Sequence, residues 1–168
     1  MRLFIAINFN KNTRMRLLEL RDQLRSMSKR GNYSAAENLH LTLAFLGECD
    51  GRQYAAAKSS LATVSFEPFN LAIERIGRFR RNGGDIWWAG LREDKVLLTL
   101  QSDLTSKLIA AGFTLERRGY TPHITLGRVI VTDAVPWQIE PFGETINSID
   151  LMKSERINGK LTYTAIDN

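Results

Sequence analysis

Apolar positions recur along this chain with two different spacings, which separate predicted strands from predicted helices. Short apolar runs rich in Leu, Ile, Phe, Thr and Val are typical of strands, and they occur at Arg2–Asn8, Leu39–Leu46 and His123–Val131. In Thr13–Ser28 the apolar residues return every three or four positions, with Arg and Glu elsewhere, which predicts an amphipathic helix.

The same patterns predict the remaining elements. Helices are expected at Gln53–Val64 and Asp94–Ala111, and strands at Phe69–Ile76, Ile86–Leu91, Ile146–Lys153 and Leu161–Ile166. Gly31–Ser34 is predicted to be a loop, and turns are expected at Asn82–Gly84 and Asn158–Gly159. The length of 168 residues suits one compact domain, residues 1–168, which could consist of two lobes.

The chain has two histidines, and both lie in the same four-residue pattern. His40 opens His-Leu-Thr-Leu, and His123 opens His-Ile-Thr-Leu. A histidine is followed by x-Thr-Leu by chance roughly once in two hundred. The repeat therefore indicates a function for both copies, and it suggests an ancient duplication.

Each copy places an imidazole and a hydroxyl on one face of its strand. Strand side chains alternate, so His40 shares a face with Thr42, and His123 shares one with Thr125. The opposite face of the first strand would then carry apolar side chains, namely Leu39, Leu41, Leu43 and Phe45. Two imidazoles suit paired general acid and general base catalysis, and the hydroxyls can donate to phosphoryl oxygens.

The sequence gives less support to two other roles for the histidines, a structural role and metal binding. A single strand histidine is more often a hydrogen-bonded structural residue, but repetition of the whole unit favours catalysis. Metal sites usually take three or four protein ligands, whereas this chain has two histidines, one cysteine and no carboxylate within either motif. We therefore expect neither a metal nor another cofactor.

The chain resembles the two-histidine phosphoesterases, and most closely the bacterial RNA 2′,3′-cyclic phosphodiesterases, historically called 2′-5′ RNA ligases. Four segments carry the likeness in the expected order: RLFIAIN at Arg2–Asn8, ENLHLTLAFLG at Glu37–Gly47, YTPHITLGR at Tyr120–Arg128 and LMKSERINGKLTYTAI at Leu151–Ile166. The resemblance implies an α+β fold of two pseudo-symmetric lobes. Each lobe would be an antiparallel sheet with helices on its outer face, and the two would face one another across a central cleft.

The resemblance also implies the reaction. Water would attack an RNA 2′,3′-cyclic phosphate and leave a 2′-phosphate, with His40 as proton donor and His123 as proton acceptor. The nearly symmetric motifs do not by themselves assign these two roles. Thr42 and Thr125 would hold the nonbridging oxygens, and reversal of the reaction would join RNA ends as a 2′-5′ ligase. Arg128 would lie near the phosphate or base, although a regular strand would point it away from His123.

Charge favours an anionic partner, since the formal net charge is +5. Arginines cluster at Arg75, Arg78, Arg80 and Arg81, and again at Arg117 and Arg118, with aromatic residues interleaved at Phe79, Trp87, Trp88 and Tyr120. Bases stack on aromatic rings while arginine contacts phosphates, which favours RNA binding over a merely solvated charged surface. Arg78, Arg80, Arg81 and Tyr120 therefore join Arg128 as predicted substrate-binding residues.

The remaining signals concern location and partners. One cysteine, Cys49, indicates a reducing compartment, and no apolar run approaches the roughly twenty residues of a membrane helix. We expect a cytoplasmic monomer that acts on RNA ends, with tRNA fragments as one source. The alternatives are another two-histidine esterase for 2′-5′ oligonucleotides or small cyclic nucleotides, a noncatalytic RNA-binding module, and a metal hydrolase.

Overall fold

The structure, a computed structural model, describes residues 1–116 and 119–166. Its helices and strands, in chain order, are β1 (Arg2–Asn8), α1 (Lys11–Ser26), β2 (Ser28–Tyr33), β3 (His40–Glu48), α2 (Gly51–Ala62), β4 (Phe69–Phe79), β5 (Asp85–Leu91), α3 (Lys95–Ala110), β6 (His123–Thr132), β7 (Trp137–Ile146), β8 (Asp150–Ile157) and β9 (Lys160–Ala165). None of the helices in this part of the chain is long and apolar enough to cross a membrane.

The strands form two antiparallel sheets, which confirms the expected α+β fold. The first sheet has the order β3-β1-β8-β9 and the second has the order β2-β6-β5-β4-β7. The lobes are therefore not the two halves of the sequence. The C-terminal hairpin completes the first sheet, and β2 from the N-terminal half joins the second.

The two faces of the first sheet pack differently. Leu3, Ile5 and Ile7 of β1 belong to the main core together with Leu100 and Leu104 of α3. On the other face, a small separate cluster forms from Phe4, Ala6 and Met152, with Tyr163 against it. Helices α2 and α3 contact the first sheet through β8 and β3, whereas α1 contacts β2, β6 and β7 of the second. One face of the first sheet thus remains turned towards the cleft.

Each predicted helix is present, and its start is set by a capping side chain. The side chain of Asn10 accepts from the Thr13 amide before α1, and that of Asp94 accepts from the Leu97 amide before α3. Asp50 forms a reciprocal capping box with Gln53 before α2. The bounds differ by at most two residues: α1 and α2 each begin and end two residues earlier than predicted, and α3 is one residue shorter at each end.

The observed strands differ from the predictions in three places. The expected loop Gly31–Ser34 largely belongs to β2, and β7 was not predicted at all. The predicted strand Ile146–Lys153 is split, because Ile146 ends β7 and β8 begins at Asp150. Strands β2 and β7 are the edges of the second sheet and are largely polar. They form because they hydrogen-bond to a neighbouring strand, and not because they bury an apolar face.

Candidate active site

The two motif strands lie against each other, one from each sheet. Strands β3 and β6 are in contact, and the cleft between the lobes holds a cavity of about 800 Å³. Five of the residues predicted from the sequence line it: His40, Thr42, His123, Thr125 and Arg128. The fold thus brings both copies of the motif to one place.

The two motif strands share the same irregularity. The pairing of β3 with β1 is regular from His40 to Thr42, and that of β6 with β5 is regular from His123 to Thr125. In each strand the pairing register then shifts by one residue, at Leu43 in β3 and at Leu126 in β6; we call each shift a slip. The carbonyl of Leu43 accepts from the side chain of Gln101 at 3.1 Å, and that of Leu126 accepts from the Ser34 amide at 2.8 Å. The carbonyl at each slip therefore accepts a hydrogen bond from a residue outside the two paired strands.

The slip in β3 corrects one prediction. Phe45 was expected on the packed face with Leu43, but its side chain lines the cleft with His40 and is 51% exposed. A shift of one residue reverses the face that every later side chain of a strand occupies. The guanidinium carbon of Arg2 lies 5.0 Å from the centroid of the Phe45 ring. The alternation rule alone could not find Phe45 as a cleft residue, because its orientation depends on the slip.

Backbone carbonyls orient both imidazoles in the same way. Nδ1 of His40 lies 2.7 Å from the Asn38 carbonyl oxygen, and Nδ1 of His123 lies 2.7 Å from that of Thr121. A carbonyl only accepts, so Nδ1 carries the hydrogen in both rings and Nε2 is left for chemistry. Nε2 of His40 is 2.8 Å from the hydroxyl oxygen of Thr42, which donates to it while the imidazole is neutral.

Aromatic rings flank each imidazole. The ring centroid of His40 lies 4.9 Å from that of Phe4 and 5.1 Å from that of Tyr163. His123 has Phe79 at 5.0 Å and Trp88 at 6.3 Å. These contacts restrict the orientation of both catalytic candidates, and they connect His40 to the C-terminal hairpin.

Burial lowers the pKa of both histidines below its ordinary value of 6.5. The carbonyl of Asn38 opposes this for His40, and the positive charges of Arg128 and His123 add to it. For His123, the Thr121 carbonyl opposes burial, and Arg128 again lowers the pKa. Both imidazoles are therefore mainly neutral at pH 7 in the free protein.

The slip at Leu126 places Arg128 on the cleft face of β6, and a second irregularity adjoins Arg128. Between the paired positions Gly127 and Ile130, β6 has one residue more than β5 has opposite it, and Val129 adopts a left-handed backbone with φ of 54°. Gly84 makes this possible, because a Cβ there would lie 2.5 Å from the carbonyl carbon of Val129. The orientation that a regular strand would forbid is thus produced by the slip at Leu126, and the bulge adjoins it.

Tyr120 holds the motif strands together. Its hydroxyl donates to the Thr42 carbonyl at 3.0 Å, from the loop that precedes β6 to a strand of the first sheet. Burial raises the pKa of Tyr120 well above its ordinary value, so the hydroxyl keeps its proton. Tyr120 is not among the residues that line the cavity. Its predicted part in substrate binding stays a prediction.

The predicted basic residues Arg78, Arg80 and Arg81 lie on β4 and the loop after it, and none of them lines the cavity. Arg78 donates to the Ala134 carbonyl at 3.2 Å, Arg80 lies 3.4 Å from a carboxylate oxygen of Asp85, and Arg81 donates to the Arg80 carbonyl at 2.8 Å. Arg117 and Arg118 lie outside the described residues. Whether these arginines contact RNA stays a prediction.

The donor set of the cavity does not match a metal centre. Within residues 1–116 and 119–166, no group of three or more His, Cys, Asp or Glu side chains could hold a metal ion. The cavity instead carries the cations Arg2, Arg128, Arg156 and Lys160, with Glu37 as an acidic side chain. Such a lining suits an anionic ligand.

The sequence is similar to those of known phosphodiesterases. A profile described as LigT like Phosphoesterase matches residues 7–88. The RNA 2′,3′-cyclic phosphodiesterase of Archaeoglobus fulgidus is 32% identical over 86% of this chain and 85% of its own length. The protein of the same name from Escherichia coli is 32% identical over 98% of this chain and 93% of its own.

The fold is similar to that of solved structures. The crystal structure of E. coli LigT complexed with 3′-AMP superposes with a TM-score of 0.84 at 26% identity, over 99% of this chain and 95% of that one. The architecture of two sheets around a cleft is therefore shared over almost the whole chain.

Proposed function

The chain belongs to the LigT-like phosphoesterase family, and we propose that it is an RNA 2′,3′-cyclic phosphodiesterase that opens the cyclic phosphate to a 2′-phosphate. One observation carries the proposal: two imidazoles from different sheets line a single cationic cleft, each with Nδ1 bound to a backbone carbonyl. This leaves two Nε2 atoms for proton transfer.

The proposed reaction is a single displacement by water at phosphorus. Nε2 of His123 takes a proton from water as the new P–O bond forms. The bond from phosphorus to the ribose O3′ breaks, and Nε2 of His40 gives O3′ its proton. The negative charge of bound substrate raises the pKa of both histidines, so His40 can carry that proton although burial lowers its pKa in the free protein.

Hydrogen bonds and charge would stabilise the transition state. When His40 is protonated, its Nε2 no longer accepts from Thr42, so this hydroxyl becomes free to donate to a nonbridging oxygen. Thr125 supplies the corresponding hydroxyl from the second lobe. Arg128 has no carboxylate within 4.0 Å among the described residues. Its positive charge lowers the pKa of both imidazoles. We assign it to the phosphate.

The chain works as one two-lobed monomer, because each lobe supplies one histidine. Its substrates are RNA ends with a cyclic phosphate, tRNA fragments among them, and the reverse reaction would join such an end to a 5′-hydroxyl. The unpaired and buried Cys49 suits the reducing cytoplasm.

The proposal is tested by incubating the protein with an oligoribonucleotide that ends in a 2′,3′-cyclic phosphate. The expected product is the 2′-phosphate, identified by its chromatographic separation from the 3′-phosphate. No hydrolysis, or release of the 3′-phosphate, would contradict the proposal. Parallel reactions with a 2′-5′ linked oligonucleotide and with 2′,3′-cyclic AMP separate the alternative substrates.

A further inference from the structure

The cleft continues past the two histidines along the first sheet. A second groove of about 590 Å³ shares four lining residues with the main cavity, namely Arg2, Ser154, Arg156 and Leu161. Arg2 pairs with Ser154 between β1 and β8, and Arg156 pairs with Leu161 between β8 and β9. The shared residues thus lie side by side across three strands, so the two spaces adjoin at the β8–β9 hairpin, and we call them together the channel.

Three cations along this channel have no carboxylate partner among the described residues. Arg2, Arg156 and Lys160 are exposed, and no carboxylate lies within 4.0 Å of them in the described part of the chain. The guanidinium of Arg2 lies over the Phe45 ring, and Arg156 donates to the Gly159 carbonyl at 3.3 Å. These contacts position the two arginines but leave their charges uncompensated.

The acidic residues of the same groove already have partners. Glu155 lies 3.2 Å from the ammonium group of Lys153, and Glu48 lies 3.5 Å from the amino group of Met1. Positive charge therefore remains in excess where the channel leaves the reaction centre. A polyanion that enters the cleft would meet this charge directly after its reacting end.

The arginines of the β4–β5 hairpin lie outside this channel. Arg78 lies 5.5 Å from the Trp87 ring, Arg80 has Asp85 as its counter-ion, and Arg81 lies 5.7 Å from the Phe79 ring. None of these three arginines lines the cavity or the groove. A strand that leaves the cleft through the channel would run along β8 and β9 and away from them.

We propose that the RNA strand preceding the terminal cyclic phosphate runs along this channel, with Arg156 and Lys160 contacting its phosphodiester backbone. The inference rests on the proposed function and adds a direction to it. It assigns the part of the substrate beyond the terminal nucleotide to the β8–β9 hairpin. Ser154 and Arg156 are two residues apart along β8, which corresponds to ~6.6 Å along the channel.

The test compares substrates of two lengths in one double variant, Arg156→Gln with Lys160→Gln. For an oligoribonucleotide with a 2′,3′-cyclic end, we expect KM to rise about three- to tenfold, as two screened ion pairs predict. The slope of log(kcat/KM) against log salt should flatten by about 1.4, because each lost single-strand phosphate contact removes about 0.7. KM for 2′,3′-cyclic AMP should rise several-fold less than KM for the oligonucleotide, since it has no preceding phosphate.

Two comparison variants make the result decisive. Arg156→Lys with Lys160→Arg keeps both charges and should keep the wild-type salt slope. The triple variant Arg78→Gln, Arg80→Gln, Arg81→Gln tests the other surface. If the triple variant raises KM for the oligonucleotide and the double variant does not, the proposed path is wrong. Equal damage by the double variant to both substrates would also overturn it.

Failure of the path can be told apart from failure of the proposed function. Wild-type protein that hydrolyses neither substrate would contradict the function itself. Wild-type protein that hydrolyses both with the same KM and the same salt slope would leave the function intact and contradict the channel. Fluorescence anisotropy of a labelled oligoribonucleotide with a 2′-phosphate end gives a second readout, in which the double variant should bind three- to tenfold more weakly.

Discussion

Phe45 and Arg128 occupy equivalent places in the two lobes. Each lies five residues after its motif histidine, each follows a slipped register, and both line the cleft. The pseudo-symmetry therefore breaks at this position, because one lobe presents an aromatic ring and the other a cation. An apolar ring suits a nucleobase and a guanidinium suits a phosphate, so the difference would give the substrate one orientation between two similar histidines.

Replacing Phe45 should weaken binding of the nucleoside part. Stacking on an aromatic ring contributes about 1–3 kcal/mol per base, so Phe45→Ala should raise KM for 2′,3′-cyclic AMP by roughly tenfold or more. Phe45→Tyr retains the ring and should stay within twofold of wild type. Steady-state kinetics of the three proteins checks this. Equal loss in both variants, or no loss in either, would show that the base does not stack there.

Either histidine should be essential for turnover. His40→Gln and His123→Gln should each lower kcat by about a hundredfold or more, which is the usual contribution of a positioned acid or base. Glutamine keeps a polar side chain of similar length, and circular dichroism checks that the variants fold. A folded variant with near-normal kcat would rule out the paired mechanism.

The pH profile should follow from the lowered pKa values. The reactive form carries one proton on the pair, and both groups have pKa values below 6.5 in the free protein, so kcat/KM should peak on the acidic side of 6.5. The limbs belong to the coupled pair rather than to one residue. Arg128→Gln removes a cation that lowers both values, so its optimum should move to higher pH. An optimum that stays in place or moves to lower pH would contradict the placement of Arg128.

Gly84 should act on the reaction through Arg128. Gly84→Ala places a methyl group against the Val129 backbone and displaces the bulge, so kcat/KM should fall as far as in Arg128→Gln, about tenfold to a hundredfold for a lost charge-assisted contact. Gly83→Ala is the matched control, because Gly83 also has a positive φ, 83°, but nothing lies within 4 Å of its Cβ position. It should lose stability and keep activity.

The double variant of Gly84 and Arg128 completes this test. If Gly84 acts only by holding Arg128, Gly84→Ala with Arg128→Gln should be no slower than either single variant. Additive losses would mean that Gly84 affects the site by another route. Thermal unfolding of all four proteins separates loss of stability from loss of rate.

Chelation should leave the reaction unaffected. The described residues offer no set of three metal ligands, and the proposed proton transfers use two imidazoles alone. Dialysis against a chelator should therefore leave kcat within twofold of its starting value. Loss of activity that zinc or manganese restores would support a metal hydrolase instead.

Local chemistry within the sequence determined much of this site. Strand alternation places His40 beside Thr42 and His123 beside Thr125 whatever the rest of the chain does, and the structure has both pairs facing one cavity. Amphipathic spacing and capping residues likewise specify the three predicted helices, because these signals act within a few residues.

Only the tertiary structure decided which side chains join the motifs in the cleft. Phe45 and Arg128 face inward because their strands slip against partners that are distant in sequence, and Gly84 must leave room for the second slip. The tertiary structure also decided the edge strands β2 and β7 and the way in which both halves of the sequence contribute to each lobe. Polar segments become strands only when a neighbouring strand supplies hydrogen bonds. Alternation is a local property of a chain, whereas register belongs to a pair of strands.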